Sequence, residues 1–403
     1  MQEGIKSCAV RPLCNILSID GGGIRGILPA VILARLERDL REHFKDPGFS
    51  IVDCFDLVAG TSTGGLLAAL LLFENPRQPG RPLLSAQEVL DLYLQRGGEI
   101  FRLEKRNPLW RTLREYYFGP RYSPVSLETI IDQTLGPEAS LDGLLRPCLI
   151  TAYEVERREA FFFRQHRTRH AALYEKAGYR ESGARANFHL RDVCRATTAA
   201  PTYFPPQNAT SRAHEVFNLV DGGLVANNPA LCAYAEARTG LPHACGEGPG
   251  FVLRRPKAAE IHLFSLGTGT KADPFPVAQM PRWGKIQWIT PTIDIMFSGV
   301  SQTVDYQLRQ MFDAANVPGQ YLRIDPSLRG ADAALDNASE RNRRNLHDIT
   351  LAALEHDGDV KTAYAKILEY LKRGFPFEAT TKTSTLLTSA EQASVWTENL
   401  GEH

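Results

Sequence analysis

Twice near its start the chain runs from a short apolar stretch through a glycine turn directly into a helical pattern. Asn15–Ile19 reads as a buried strand, Gly21–Gly26 as a turn and Ile27–Phe44 as an amphipathic helix; Phe55–Ala59, Gly60–Gly65 and Leu66–Phe73 repeat that order. Strands apolar on both faces that alternate with helices belong to parallel sheets covered on both sides. This feature argues against an all-β sandwich or a helical bundle and predicts an α/β fold.

The rest of the chain continues the pattern. Arg146–Tyr153, Glu159–Gln165, Val216–Val220 and Ile261–Leu266 read as strands, with Tyr321–Ile324 as an edge strand. Helices are predicted near Ala86–Gln95, Ser126–Leu135, Leu190–Ala200 (stopped by Pro201), Asn228–Arg238 and Thr292–Phe312, with two more beyond Ser339. In open α/β sheets, ligands sit outside the carboxyl ends of the strands. Glycine turns after Ile19, Ala59, Val220 and Leu266 each fall at such an end, so residues far apart in sequence can meet on one rim.

Composition narrows the function. Lys plus Arg and Asp plus Glu each number 46, so no global field draws the protein to nucleic acid or to an anionic bilayer, and any membrane attraction is local. Seven scattered cysteines, odd in number and without a Cys-x-x-Cys pair, read as reduced thiols. No metal-ligand spacing or EF-hand loop appears, so neither a metal nor a cofactor is expected. With no secretory pattern and no apolar run of ~18 residues, the expectation is a cytoplasmic protein that meets lipid from the water side. Nothing in the sequence sets an oligomeric state.

Three motifs carry chemistry. Gly60-Thr61-Ser62-Thr63-Gly64 fits the G-x-S-x-G nucleophile elbow, in which small flanking residues let a strand turn sharply into a helix and expose the serine hydroxyl. The same residues could serve as a plain glycine turn with a serine cap. Asp20-Gly21-Gly22-Gly23-Ile24-Arg25-Gly26 contains G-x-G-x-x-G, but the next strand begins near Phe55, so Asp39 and Asp46 are badly placed for a dinucleotide ribose. The same geometry can make an oxyanion hole, with amides at a helix start pointing at developing negative charge. Arg25, a cation in a first helical turn where the macrodipole disfavours it, could hold a phosphate or carboxylate or simply be solvated. Asp221-Gly222-Gly223 follows a strand and, alone, reads only as a turn.

Together and in this order, the three motifs resemble the patatin-like phospholipase family. Further stretches are similar to its plant patatin and calcium-independent phospholipase branch: Ile27-Leu28-Pro29-Ala30, Phe118-Gly119-Pro120, Ala199–Phe204, Ser265–Gly269 and Asp336–Ser339. The resemblance implies a three-layer α/β/α sandwich with a mostly parallel central sheet, and a lipid acyl hydrolase with lipid or a membrane surface as its transient partner. It implies Ser62 as nucleophile, Asp221 as general base, Gly21, Gly22, Gly23 and Ile24 around the oxyanion, and Arg25 supporting the loop or a lipid phosphate. Gly26, Gly60, Thr61, Thr63, Gly64, Gly222 and Gly223 complete the motifs; at Gly223 plant storage members often carry alanine. The expected organisation is a lead-in over 1–13, a catalytic domain over 14–356, and a C-terminal helix with a Ser/Thr-rich tail over 357–403.

An aspartate with an ordinary pKa near 3.9 is a poor base for serine, so a dyad requires a water-poor setting that raises carboxylate basicity. Two alternatives stand beside it: an α/β-hydrolase triad using a histidine such as His262 or His347, and a catalytically silent lipid-binding protein. Lys105–Tyr122, which interleaves arginines with aromatics, and Trp283 with Trp288 suit a bilayer interface as well as they suit packed surface helices.

Overall fold

A computed structural model describes residues 14–102, 119–244, 251–271, 275, 277–278 and 280–373. Strand β1 (Cys14–Ile19) leads through the glycine loop into helix α1 (Ile27–Phe44). Strand β2 (Leu57–Thr61) turns at Ser62 into α2 (Thr63–Leu72). Helices α3 (Ala86–Ile100) and α4 (Val125–Leu135) precede β3 (Cys148–Glu154), β4 (Glu159–Arg164) and two short helices, α5 (Gln165–Arg169) and α6 (Ala171–Lys176). Helix α7 (Leu190–Thr197), strands β5 (Gln207–Thr210) and β6 (Val216–Asp221), the single turn α8 (Gly223–Ala226) and α9 (Ala230–Thr239) follow. A small hairpin of β7 (Leu241–Ala244) and β8 (Phe251–Arg254) precedes β9 (Ile261–Leu266). Helix α10 (Lys285–Ala314), β10 (Tyr321–Ile324), α11 (Glu340–His356) and α12 (Gly358–Arg373) complete the chain.

The main sheet has eight strands in the order β10-β9-β1-β2-β3-β6-β5, with β4 also paired to β3. The run from β10 to β3 is parallel, whereas β4 and β6 are antiparallel to β3. Alternation along each central strand divides the core. Leu17, Ile19, Val58, Phe264 and Leu266 pack with α1, α2, α3 and α11 on one face. Cys14, Ile16, Leu57, Ala59, Ile261 and Leu263 pack with Ala233 of α9 and Leu308 of α10 on the other. Both faces are therefore apolar and covered, which gives the expected α/β/α sandwich.

One irregularity of the sheet positions the site. The N-terminal part of β3 pairs with β2 as far as Thr61↔Thr151. At the next residue β6 takes over, with Ala152↔Asp221. The ends of β2 and β6 are thus laid against adjacent residues of one strand. Beyond the sheet, Val360, Tyr364, Ile367 and Leu371 of α12 are buried, and the helix packs on α1, α11 and β10.

Local differences from the sequence reading have simple causes. Helix α2 starts at Thr63, because Gly64 and Gly65 form its first turn instead of preceding it. Helix α10 begins at Lys285 and runs through Pro291, which forfeits one backbone hydrogen bond near the helix start without stopping the helix. The interfacial stretch at 105–122 lies largely outside the described residues. Its last member, Tyr122, is buried and donates to Asp336 Oδ2 at 2.8 Å.

Candidate active site

Ser62 sits between β2 and α2 with φ 52° and ψ −121°, a left-handed backbone that costs a non-glycine residue of order 1–3 kcal/mol. The surroundings enforce it. A Cβ on Gly64 would come within 2.2 Å of Ile19 O, so only glycine lets the elbow close onto the end of β1. Thr61 Oγ1 donates to Ala226 O at 2.6 Å and contacts Thr151 Oγ1 at 2.7 Å, anchoring the strand end. Ser62 N donates to Thr197 Oγ1 at 2.8 Å, and Thr63 Oγ1 contacts the Tyr93 hydroxyl at 2.7 Å.

With the backbone held, the Ser62 hydroxyl donates to Asp221 Oδ2 at 2.7 Å. Asp221 Oδ1 accepts from Gly223 N at 2.7 Å, so both carboxylate oxygens are engaged. Asp221 is 1% exposed. Burial pushes its pKa up to about 7, against the opposing pull of the Gly223 N–H and the Ser62 hydroxyl. A carboxylate that titrates near neutrality is the basic group that a serine without a histidine requires. Among the described residues, no histidine hydrogen-bonds to Ser62 or Asp221. His262 lies on β9 against Tyr370, and His347 bonds to Asp348.

The glycine loop arches over this pair. Gly21 N donates to Asn227 O at 3.0 Å and Ile24 N to Leu335 O at 2.9 Å, so those two amides are engaged within the fold. The amides of Gly22 and Gly23, between them, have no protein acceptor among the described residues. Gly23 has φ 59°, and a Cβ there would meet Leu335 O at 2.2 Å, which accounts for glycine at that position. Arg25 is buried, and its Nε donates to Gly22 O at 3.2 Å. Its side chain therefore buttresses the loop and is not a solvated surface group. Burial lowers its pKa, with Asp294 and Asp325 opposing the shift from longer range.

The sequence held no motif for the brace behind the loop. Arg323 on β10 donates to Asp20 Oδ2 at 2.7 Å and to Asp325 Oδ2 at 2.9 Å, while Asp325 Oδ1 accepts from Gly269 N at 2.8 Å. Burial pushes Asp20 up to about 6, with Arg323 opposing the shift. The one hint was an arginine inside an otherwise apolar edge strand. Tyr93 and Thr197 were likewise missed, because each acts through a single hydroxyl on a helix with no motif of its own.

Ser62 and Asp221 open into a cleft of about 610 Å³ lined by Leu66, Ile100, Phe101, Leu127, Phe204 and Phe297, among others. Its wall is almost wholly apolar, which suits an acyl chain and not a polar substrate. A serine elbow at the strand ends of an α/β/α sandwich, facing such a cleft, defines a hydrolase of lipid acyl esters.

The family model for patatin-like phospholipases matches residues 17–234. Patatin-like protein 3 of Arabidopsis thaliana is 32% identical over 371 residues, spanning 85% of this chain and 81% of its own. Patatin-like protein 2 of Oryza sativa subsp. indica is 33% identical, with 84% and 82% covered, and Patatin-04/09 of Solanum tuberosum is 30% identical, with 85% and 84% covered. The chain belongs to the patatin-like phospholipase family and is a serine-dependent lipid acyl hydrolase.

Proposed function

We propose that Ser62 is the nucleophile and Asp221 the general base of a two-residue mechanism that cleaves fatty-acyl esters of phospholipids and related lipids. The observation that carries this reading is the 2.7 Å Ser62–Asp221 hydrogen bond inside an apolar cleft. Asp221 takes the hydroxyl proton as Ser62 Oγ attacks the ester carbonyl. Negative charge develops on the carbonyl oxygen, and the unengaged N–H groups of Gly22 and Gly23 are the donors that meet it. Collapse expels the alcohol, which receives the proton from Asp221, and leaves an acyl-enzyme on Ser62. Water then attacks that ester with Asp221 again as base, releasing the fatty acid and restoring Ser62. Because Asp221 must return the proton, an alkoxide leaving group from an ester is favoured over an amine from an amide.

The substrate reaches the cleft from a lipid surface in this reading, with the enzyme cytoplasmic and peripheral. Phe275 and Ile293 border a recess shared with Tyr203 and Leu335, two residues of the cleft wall. Phe275 is exposed, as are Val277 and Ile289 a little further along the chain, and the rings of Trp283 and Trp288 are 5.2 Å apart. Among the described residues, no helix is long and apolar enough to cross a membrane, so contact would be with one face of the bilayer.

Fluorophosphonate labelling followed by peptide mapping tests the assignment. Stoichiometric modification of Ser62, with hydrolysis of a nitrophenyl ester abolished in Ser62→Ala, is expected. Labelling at another serine would overturn it.

A further inference from the structure

Away from the catalytic cleft, five arginines, Arg157, Arg164, Arg167, Arg180 and Arg185, converge on a recess of about 560 Å³ beside β4 and the start of β6. Two glutamates share the lining, Glu181 and Glu215, and none of these residues borders the cleft. In a chain whose charges balance overall, this is a concentrated local excess of positive charge. Collecting guanidinium groups in one concavity costs Coulomb repulsion unless an anion is taken up there.

The carboxylates present do not saturate the guanidinium groups. Glu236, beneath the recess, accepts from Arg164 at 3.1 Å and Arg167 at 3.2 Å and also contacts His166 at 2.9 Å. Glu215 pairs with Arg185 at 3.5 Å, and Glu181 reaches Arg164 at 3.8 Å. Among the described residues, the guanidinium groups of Arg157 and Arg180 form no ion pair with a carboxylate, although the Arg157 backbone N–H donates to Glu154. The aromatic residues around them act as platforms. The Arg157 guanidinium lies 4.7 Å from the centre of the Phe217 ring, Arg164 lies 5.0 Å from that of Phe162, and Arg167 lies 4.5 Å from that of Tyr179. A guanidinium stacked on a ring keeps its in-plane N–H edge for a two-pronged bond to an oxyanion.

We infer that this recess is a second ligand site, which binds an anion bearing two or more phosphate groups through Arg157, Arg180 and Arg185, with Arg164 and Arg167 behind them. Several separate forks match several phosphate oxygens. The same chemistry is offered by a soluble polyphosphate and by a multiply phosphorylated lipid headgroup. The inference stands independently of the catalytic assignment.

The test uses the full chain and two probes at fixed ionic strength: inorganic tripolyphosphate by titration calorimetry, and phosphatidylcholine vesicles with and without phosphatidylinositol bisphosphate by sedimentation. Saturable one-to-one binding of tripolyphosphate is expected, weakened at least ~10-fold in Arg157→Ala/Arg180→Ala. Hydrolysis of a soluble nitrophenyl ester and the thermal midpoint should be unchanged in that variant, since both side chains are exposed and neither lines the catalytic cleft. Tripolyphosphate binding identifies a soluble source. Recruitment to the phosphoinositide vesicles alone, lost in the double variant, identifies the headgroup source; either result supports phosphate recognition. If neither probe binds, or if the double variant binds as well as wild type, the site does not exist.

Discussion

Ser62 and Asp221 lie 159 residues apart and share a 2.7 Å hydrogen bond because β2 and β6 dock on successive residues of β3, Thr151 and Ala152. This pairing is therefore a product of sheet register. A one-residue slip of β6 would turn the Asp221 side chain to the other face. Burial raises the Asp221 pKa to about 7, which suits the base of the proposed mechanism.

Asp221→Asn keeps the shape of the side chain and its contact with Gly223 N but cannot accept the serine proton. General-base catalysis contributes about 10²–10⁴-fold, so kcat on a nitrophenyl ester should fall by about that factor with KM little changed. An equally large loss on substituting His262 or His347, with Asp221→Asn still active, would move the base to a histidine.

The same carboxylate sets a pH profile. The proposed mechanism needs ionised Asp221, so kcat/KM should rise with pH through about 7 and level off above it. The stability linkage has the opposite sign. The folded pKa lies above the unfolded value of 3.8, so the native state holds the proton more tightly. Its contribution is full below the unfolded value and is lost as pH rises through about 7. Asp221→Asn should therefore raise the thermal midpoint at pH 8 and leave it little changed at pH 4. A rising limb near pH 4 in the wild-type activity profile would contradict this.

Chemistry that depends on short local patterns was legible in the sequence. Gly60–Gly64 and Asp20–Gly26 signal tight strand-to-helix turns, and such turns fall at the strand ends where active sites form. The shared flank of β3 was not legible, because pairing with β2 below and β6 above depends on the lengths of three strands. The hairpin β7–β8 and the edge strand β5 were also missed; they are short, and β5 is polar, so neither gives a clear period. The role of Arg323 was hidden for a further reason. Its partner Asp20 is 303 residues away, and an isolated arginine carries no pattern.

Arg323 and Asp20 form a buried pair, 7% and 2% exposed at their side chains. Replacing Arg323 with Met should leave Asp20 and Asp325 uncompensated and cost about 3–5 kcal/mol of unfolding free energy, measured in urea. The glycine loop starts at Asp20, so kcat should fall as well. Adding Asp20→Asn to Arg323→Met should restore part of the stability, since it removes a stranded charge. A double variant no more stable than Arg323→Met would show that the pair acts on the loop by another route.

The cleft should also read acyl-chain length. Ile100 and Phe101, at the end of α3, join Leu127 and Phe204 in its wall, and Ile100 is only partly buried. Trp at position 100 can fill the apolar space without displacing a packed core residue. A butyryl chain would still reach Ser62, whereas a palmitoyl chain would lose room for its distal methylenes. About two buried methylenes lost, at ~0.8 kcal/mol each, correspond to a fall of roughly tenfold. Ile100→Trp should therefore lower kcat/KM about tenfold for nitrophenyl palmitate and leave nitrophenyl butyrate within about twofold. An equal decline on both esters would mean that the substitution disturbs the catalytic elbow and that the acyl chain runs elsewhere.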